Sequence, residues 1–296
     1  MDVEEKKQVV TTLKEQYPLT KLFRLYGIAA STYYDSQQKI ITPVDKYPVL
    51  REKIKALFIE SEGSAGQRTL CSMLKNDKIH STRYLVRKIM QEEELQSRQP
   101  PKHSYPKGGK ESLVCPNLLQ RRFNVTAINR WWCGDVTYIW TQLGWCYLAV
   151  VMDLMSRRIV GHALSKNPDS ELTLKAFNRA FEARGKPQNL VFHSDQGCQY
   201  SSHIFRDTLK NNRVQQSMSR RGNCWDNAPM ERFFRSFKTE RMPRLGYETF
   251  EDAEADVNHY IDYYYNARRP HKHNNGLPPI AAEKRQAIIN QQHNAA

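Results

Sequence analysis

The hydrophobic period of this chain changes at Trp131, and that change limits the folds it can adopt. Before Trp131, apolar side chains recur every three or four positions, as on one face of a helix. After it come apolar segments with the length and composition of strands, alternating later with helices. Strands are predicted at 136–140, 145–153, 158–165, 189–193 and 214–218. We therefore expect an all-α N-terminal part followed by an α/β part with a mixed five-stranded sheet and helices on its faces.

The N-terminal segment has the pattern of three short helices. Pro18 ends the first helix, Gly27 ends the second, and Ser31 is a good residue to cap the third. Helix, glycine turn and helix are typical of a helix-turn-helix, whose last helix would present Ser31, Thr32 and Tyr33 to DNA. A small bundle that only packs fits the same pattern.

A second set of three helices is predicted between residues 43 and 98. Its last helix is expected to begin at a Ser81 cap and to carry Arg83 and Arg87 beside one face. These two arginines are candidates for contacts with DNA phosphates. The alternative is that they form the solvated side of the helix.

Charge favours a polyanionic partner. The chain has 45 Lys and Arg against 31 Asp and Glu, a formal net charge of +14, which suits electrostatic capture of nucleic acid. Positive charge is densest in residues 99–130, where six basic side chains and one acidic side chain lie among prolines and glycines. Such a composition predicts a semi-extended linker on a phosphate backbone, with Lys107 and Lys110 as candidate contacts, or else a spacer without contacts.

The composition also excludes several classes of protein. No apolar run reaches the ~18 to 20 residues of a membrane span, and the acidic start of the sequence does not fit a signal peptide. The six cysteines are scattered, without a C-x-x-C pair or the spacing of a zinc site, which predicts reduced structural thiols. We therefore expect a cytoplasmic protein.

Three acidic residues stand at the ends or edges of predicted elements. Asp135 begins the first strand, Asp195 follows the fourth, and Glu231 lies in the first turns of a capped helix. Converging carboxylates repel one another unless a cation neutralises them, and Mg²⁺ prefers such oxygen ligands. Two such ions can activate an attacking oxygen and stabilise a leaving one at phosphorus. Each acid alone also fits a plain structural role at a strand edge, in a turn or near a helix start.

The residues around these acids resemble a known family. The motifs are Trp-x-x-Asp-x-Thr-Tyr at 132–138, His-Ser-Asp-x-Gly-x-Gln-Tyr at 193–200 and Asp-Asn-Ala-x-x-Glu-x-Phe-Phe-x-x-x-Lys at 226–238. They are similar to the integrase-type catalytic core of bacterial insertion-sequence transposases and, more distantly, to retroviral integrases. Between Asp195 and Glu231 lie 35 residues, the spacing typical of this family.

The resemblance implies a ribonuclease H-like core and a DDE-type enzyme. Asp135, Asp195 and Glu231 would be its catalytic residues and would hold two Mg²⁺ ions, with Mn²⁺ able to substitute. The implied reaction is strand cleavage at the ends of a mobile element, followed by strand transfer from the freed 3′-hydroxyl. The implied partners are double-stranded DNA of the ends and the target, at least one further copy of the chain on DNA, and the product of an upstream reading frame. A protein that acts on DNA in this way is expected to associate with the bacterial nucleoid.

Cationic residues surround the acids in the sequence. Lys238 matches the family motif and lies seven positions after Glu231, on the same helix face, and Arg235 shares that face. The remaining candidates for DNA contact here are Arg232, Arg220 and Arg221. A solvated helix face is the alternative for these cations, and Trp225 is expected either to stack on a base or to be a buried anchor.

The resemblance covers nearly the whole chain. It includes the N-terminal helices, the second helical set, and the residues Tyr260, Ile261, Tyr264, Asn266, Arg268 and His271 near the C-terminal end. It departs from the family at 65–68, where aromatics usually flank the glycine, and it lacks the zinc-binding module of retroviral integrases. The expected domains are a helix-turn-helix-like segment at 1–42, a second such module at 43–98, the linker at 99–130, the catalytic core with a C-terminal helix at 131–285, and a disordered tail at 286–296.

Two other functions fit parts of the sequence. A terminal helix is expected from a Thr249 cap, with Asp252 at the capping-box position, through Tyr264. The tyrosines at 263–265 with Arg268, Arg269 and His271 would suit a tyrosine recombinase, which links covalently to DNA. The N-terminal helices alone would suit a non-catalytic DNA-binding regulator. A covalent adduct with DNA would identify the first, and metal-dependent cleavage that requires Asp195 would exclude the second.

Overall fold

Helices form the N-terminal third of the chain and a five-stranded sheet forms the centre of the rest, which confirms the predicted fold class. The computed structural model describes residues 1–40, 45–98, 115–220 and 223–294. The chain divides into two compact units, 1–51 and 52–296. None of the described helices is long and apolar enough to cross a membrane.

The first unit is a cluster of short helices, α1 (Val3–Leu13), α2 (Leu19–Tyr26) and α3 (Ala30–Ile40). Asp2 and Glu5 form a capping box at the start of α1. Gly27 ends α2 with a φ of 60°, a left-handed conformation that glycine adopts at little cost. The buried side chains of this cluster include Val10, Leu22, Ile28 and Tyr33.

The prediction that Tyr33 contacts DNA is wrong. Its side chain is 2 % exposed, and its ring lies 5.3 Å from that of Phe23. A cluster this small needs the large aromatic ring as part of its apolar core, so the ring turns inward. Ser31 is exposed on α3 and Thr32 is half-buried, so these two stay candidates.

The second unit contains the later helices of the N-terminal part, α5 (Gln67–Asn76) and α6 (Arg83–Glu92), while α4 (Pro48–Glu60) spans the boundary between the units. Thr82 caps α6 instead of the predicted Ser81, because its hydroxyl accepts the N–H of Leu85 at 3.2 Å. Arg268 ties α4 and α5 to the C-terminal part of the chain through Glu60 and Asp77. These ion pairs help place residues 52–98 in the same unit as the sheet.

The sheet has the strand order β3-β2-β1-β4-β5. Its strands are β1 (Trp131–Thr141), β2 (Gly144–Asp153), β3 (Ile159–Ser165), β4 (Val191–Ser194) and β5 (Gln215–Met218). The first three strands form an antiparallel meander, and β4 and β5 run parallel to β1. The strand β1 is therefore the central strand of the sheet.

The two faces of the sheet are covered by different helices. The helices α7 (Ser170–Ala183), α8 (Cys198–Ser201) and α9 (His203–Asn211) share a buried core with the sheet that includes Trp132, Phe177 and Phe192. Against β1 lie α10 (Ala228–Glu240) and α11 (Phe250–Asn258). Side chains alternate along a strand, so the residues of β1 that do not join the first core face α10 and α11.

The C-terminal part contains more helix than the sequence predicts. Thr249 and Asp252 form the predicted capping box of α11, but the helix widens into π-helical turns at His259–Tyr265. The prediction of a disordered tail at 286–296 is wrong up to residue 294, because α12 spans Pro279–Asn294. Its Glu283 accepts hydrogen bonds from Arg158 at 2.7 Å and from Arg184 at 2.9 Å, which anchors the helix.

The described half of the predicted linker, residues 115–130, packs on the sheet edge. Leu119 is 1 % exposed, the Leu118 N–H donates to Ser217 Oγ at 2.9 Å, and the Met218 N–H donates to the Pro116 carbonyl at 3.3 Å. Residues 99–114, with Lys107 and Lys110, lie outside the described residues. A spacer without contacts is therefore wrong for 115–130, because the Ser217 hydroxyl and the Met218 N–H of β5 bond to this segment.

Gly161 provides a test of how tightly α7 packs on β3. A Cβ atom at this position would lie 2.4 Å from the Ala176 carbonyl oxygen and 2.6 Å from Ala180 Cβ. We expect Gly161→Ala to lower the free energy of unfolding by about 1–3 kcal/mol, as overpacking does. Urea unfolding measures it, with Gly66→Ala as control, where the added atom would meet only the Ser97 side chain at 3.4 Å. Equal losses in both variants would contradict the close packing.

Candidate active site

The register between β1 and β4 brings two of the three predicted acids to one level of the sheet. Cys133 of β1 pairs with His193 of β4. Asp135 and Asp195 each follow two positions later, and side chains two positions apart extend from the same face of a strand. Both carboxylates are half-buried. Asp195 lies just past the end of β4, so its position depends on the loop as well as on the strand.

Backbone groups hold the two aspartates in place. The Val136 N–H donates to Asp135 Oδ1 at 2.8 Å, and the Gly197 N–H donates to Asp195 Oδ1 at 3.0 Å. Each carboxylate thus has one oxygen fixed by the main chain of its own segment. Such local bonds are typical of aspartates at strand edges and turns, and they restrict the rotamer.

Gly134 allows β1 to lie close to its neighbours beside Asp135. A Cβ atom there would be 2.4 Å from Phe192 Cζ and 3.3 Å from the Tyr200 hydroxyl. Its carbonyl oxygen accepts a hydrogen bond from Asn227 Nδ2 at 3.3 Å. Asn227 ends the 3₁₀ turn Cys224–Asn227, which runs directly into α10. The strand position before Asp135 is therefore tied to the start of the helix that carries Glu231.

Glu231 is placed by the packing of α10. Phe233 and Phe237 are buried on one side of this helix, and the Phe233 ring lies 4.8 Å from that of Tyr265 in an edge-on contact. This packing fixes the rotation of α10 about its axis. Glu231, in the first turn, is half-buried, and its charge acts on Asp135.

The three carboxylates influence one another. Burial and the negative charges of Asp195 and Glu231 raise the pKa of Asp135 well above its usual range, although the Val136 N–H opposes the shift. Burial also raises the pKa of Asp195, against the effect of the Gly197 N–H. Within the described ranges, no three His, Cys, Asp or Glu side chains are arranged to hold a metal ion as they stand. The charges of Asp195 and Glu231 nevertheless reach Asp135, and like charges disfavour the ionised form of one another.

The donor chemistry of this site fits a hard divalent cation. Carboxylate oxygens are the ligands that Mg²⁺ prefers. Two buried amide oxygens near the acids, Gln196 Oε1 and Asn227 Oδ1, have no hydrogen-bond partner in the described part of the chain. Buried oxygens left unpaired are costly, and a cation with its water ligands would satisfy them and relieve the repulsion.

His193 forms a buried hydrogen-bond network behind Asp195. Its Nδ1 lies 2.8 Å from Ser217 Oγ, and its Nε2 lies 3.1 Å from both Ser219 Oγ and the Asp226 carbonyl oxygen. Burial lowers the pKa of His193 to about 4, so the ring is neutral at pH 7. The tautomer with its proton on Nε2 satisfies these contacts, because the Asp226 carbonyl can only accept.

Asp226 is a buried charge whose role the sequence motif does not indicate. Its carboxylate accepts from Arg220 Nε at 2.9 Å, from Arg121 Nε at 2.6 Å and from Asn117 Nδ2 at 2.9 Å. Burial raises its pKa, but the bonds from Arg220 and Arg121 outweigh it and hold the pKa well below its usual range. Its place as the first residue of the Asp-Asn-Ala-x-x-Glu motif was the sequence signal that could have indicated a functional role. Its partners could not be found from sequence, since two of them lie in the predicted linker.

The predicted DNA contacts are distributed over several surfaces. Arg232, Arg235 and Lys238 are exposed on α10, and partial burial lowers the pKa of Lys238. Arg83 and Arg87 are exposed on α6. Arg220 uses its guanidinium to bind Asp226 while remaining half exposed. Arg221 lies outside the described residues. Trp225 is 64 % exposed, so it is not a buried anchor, and stacking on a base stays a prediction.

The constellation expected of a tyrosine recombinase does not assemble. Tyr264 and Tyr265 are buried, and burial raises the pKa of each to about 12. Arg268 binds Glu60 and Asp77, and Arg269 binds Glu240. The exposed Tyr263 stacks on His259 at 5.1 Å. These side chains hold the C-terminal part in place and present no arginine-activated nucleophile.

Comparisons with known proteins identify the family of the chain. The integrase core domain family matches residues 125–224, a second integrase core domain model matches 212–279, and an HTH-like domain matches 47–103. The chain is 39 % identical over 226 residues to the transposase for insertion sequence element IS904 of Lactococcus lactis, covering 75 % of this chain and 88 % of that one. It is 32 % identical over 273 residues to the putative transposase InsK for IS150 of Escherichia coli, covering 92 % and 96 %.

Among solved structures, the HTLV-2 integrase catalytic core domain in complex with magnesium is 25 % identical to the chain. The match covers 38 % of this chain and 68 % of that one, with a TM-score of 0.32. A likeness of this strength supports no inference about function.

Titration of His193 should be visible in the pH dependence of stability. An unfolded histidine titrates near pH ~6.5, and the folded His193 near 4, so the unfolded state binds more protons between these values. Stability from this group is therefore lost as the pH falls from ~6.5 towards ~4, by about 1.4 kcal/mol per pH unit. We expect His193→Gln to remove that slope in urea unfolding measured from pH 7.5 to 4.5. An unchanged slope would contradict a buried neutral ring.

Proposed function

Because this chain belongs to the insertion-sequence transposases that carry an integrase core domain, we propose that it cleaves DNA strands at the ends of a mobile element and joins them to a new site. The observation that supports the proposal is that the charges of Asp195 and Glu231 reach Asp135. The three acids come from β1, the end of β4 and α10. Acids this far apart in sequence converge at a cost, which a catalytic role explains.

We propose that Asp135, Asp195 and Glu231 hold two Mg²⁺ ions, for which Mn²⁺ can substitute. When bound, such ions activate an attacking oxygen and stabilise a leaving one during displacement at phosphorus. The chain keeps its carboxylates in position for this task through the Val136 and Gly197 N–H groups. The fixed bonds leave the second oxygen of each aspartate available as a ligand.

The proposed reaction has two phosphoryl transfers. In the first, water attacks a phosphodiester at the element end, the P–O3′ bond breaks, and a 3′-hydroxyl is freed. In the second, that hydroxyl attacks a phosphodiester of the target, whose own 3′-oxygen leaves. The protein positions the strands and never bonds covalently to them, so catalysis depends on orientation and on charge stabilisation.

DNA would approach along the exposed cationic residues of α10. Arg232, Arg235 and Lys238 follow Glu231 on this helix, and their charges suit a phosphate backbone next to the acids. We propose further contacts from Arg83 and Arg87 of α6 and from Ser31 and Thr32 of α3. The partners would be double-stranded DNA of the element ends and the target, a second copy of the chain on the paired ends, and the product of an upstream reading frame.

Replacing one aspartate separates an enzyme from a non-catalytic DNA-binding regulator. We expect Asp195→Asn to lower Mg²⁺-dependent cleavage of the element's own ends at least about a hundredfold, because a neutral amide is a poor ligand for the cation. DNA binding in EDTA should stay within about twofold, since the contacts to phosphates remain. Asp207→Asn, an exposed aspartate on α9, is the matched control. Cleavage at the wild-type rate in Asp195→Asn would refute the metal site.

The ionised Asp135 carboxylate should lower the stability of the metal-free protein. The raised pKa of Asp135 means that stability present at low pH is lost as the pH rises through the folded pKa, so the ionised carboxylate destabilises the fold at pH 7. We expect Asp135→Asn to raise Tm in EDTA by about 2–4 °C, the size of a change near 1 kcal/mol. Mn²⁺ should raise Tm of the wild type but not of the variant. A lower Tm in EDTA would contradict the repulsion.

A further inference from the structure

We propose that Asp226 is a positioning residue, which fixes the start of α10 and thereby the carboxylate of Glu231. It acts through Arg220 and through Arg121 of the segment 115–130. The inference deepens the proposed function, since it assumes that Glu231 is one of the three acids. It assigns a task in the reaction to residues of the predicted linker.

The Asp226 carboxylate is fully buried, yet its hydrogen bonds are complete. Arg220 binds it with two guanidinium nitrogens, Nε to Oδ2 at 2.9 Å and Nη2 to Oδ1 at 3.0 Å, and with its backbone N–H at 3.1 Å. Arg121 Nε reaches Oδ1 at 2.6 Å, and Asn117 Nδ2 reaches Oδ2 at 2.9 Å. A buried carboxylate is tolerated only when it is paired in this way, and removing a partner is costly.

The backbone around Asp226 is held from three directions. Its carbonyl oxygen accepts from His193 Nε2 at 3.1 Å, which ties it to β4. The next residue, Asn227, donates to the Gly134 carbonyl of β1 at 3.3 Å. The side-chain bonds to Arg121 and Asn117 supply the third direction. The end of the 3₁₀ turn is thus fixed to two strands and to the packed segment.

The turn that Asp226 fixes lies directly before the helix that carries Glu231. Asp226 lies five residues before Glu231, and the turn that contains it continues into α10 without a break. A helix transmits the position of its first residue to the residues of its first turn, because its hydrogen bonds fix their dihedral angles. A shift of the turn would therefore move the Glu231 carboxylate relative to Asp135 and Asp195. A misplacement of about 1 Å in a catalytic group can lower the rate about a hundredfold.

Hydrogen exchange tests the positioning without any need for activity. In the full chain, without metal or DNA, we expect Asp226→Asn to speed exchange in a peptide covering residues 223–234 by about tenfold or more. In the cleavage assay, we expect the Mg²⁺ concentration for half-maximal rate to rise about tenfold, as for other groups that orient metal-ligating residues. Arg121→Gln should also speed the exchange and raise the Mg²⁺ requirement. This variant tests the same role if Asp226→Asn does not fold.

Glu283→Gln is the matched control for a loss of stability alone. Glu283 of α12 is also a buried carboxylate with two arginine partners, Arg158 at 2.7 Å and Arg184 at 2.9 Å, and none of these residues belongs to α10 or to the turn before it. Glu283→Gln should lower Tm without changing the exchange of 223–234 or the Mg²⁺ requirement. If Asp226→Asn and Arg121→Gln behave like this control, the positioning role is overturned. An inactive wild type would overturn the proposed function instead, and the exchange result would still decide the inference.

Discussion

The repulsion among Asp135, Asp195 and Glu231 is the constraint on which the rest of this structure depends. Three half-buried carboxylates come from separate elements, and burial together with the charges of Asp195 and Glu231 raises the pKa of Asp135. The fold tolerates this because rigid elements hold the acids. Asp135 lies within β1, the sheet's central strand, and Asp195 directly follows β4, which pairs in parallel with β1. Like charges kept together at a cost to stability are typical of functional sites.

The helix α10 is fixed at both of its ends, and this explains how Glu231 keeps its place. Asn227 and Asp226 hold the start of the helix against the sheet. At the other end, Glu240 binds Arg269, accepts from the Tyr260 hydroxyl at 2.9 Å, and offers its carbonyl to Arg98 at 3.3 Å. Residues near the C-terminal end that looked like part of a recombinase site are thus positioning α10 within the second unit.

The sequence predicted the elements of the fold because their signals are local. The change of period at Trp131 and the capping box at Thr249 depend on neighbouring residues, and both are confirmed. The predictions that were wrong required knowledge of distant partners. Tyr33 turns inward to complete a small core, and the tail forms α12, which is anchored when its Glu283 meets Arg158 and Arg184. For the same reason, the motif identified the three acids but could not show that Arg121 holds Asp226.

If the three acids form one metal site, a bound cation should lie among their carboxylates. Anomalous X-ray diffraction from crystals of the full chain grown with Mn²⁺ measures this most directly. We expect an anomalous peak within about 2.3 Å of carboxylate oxygens of Asp135, Asp195 and Glu231, the range of hard-cation ligation. The peak should disappear in Asp195→Asn. Manganese bound elsewhere while these three carboxylates remain without it would contradict a shared metal site.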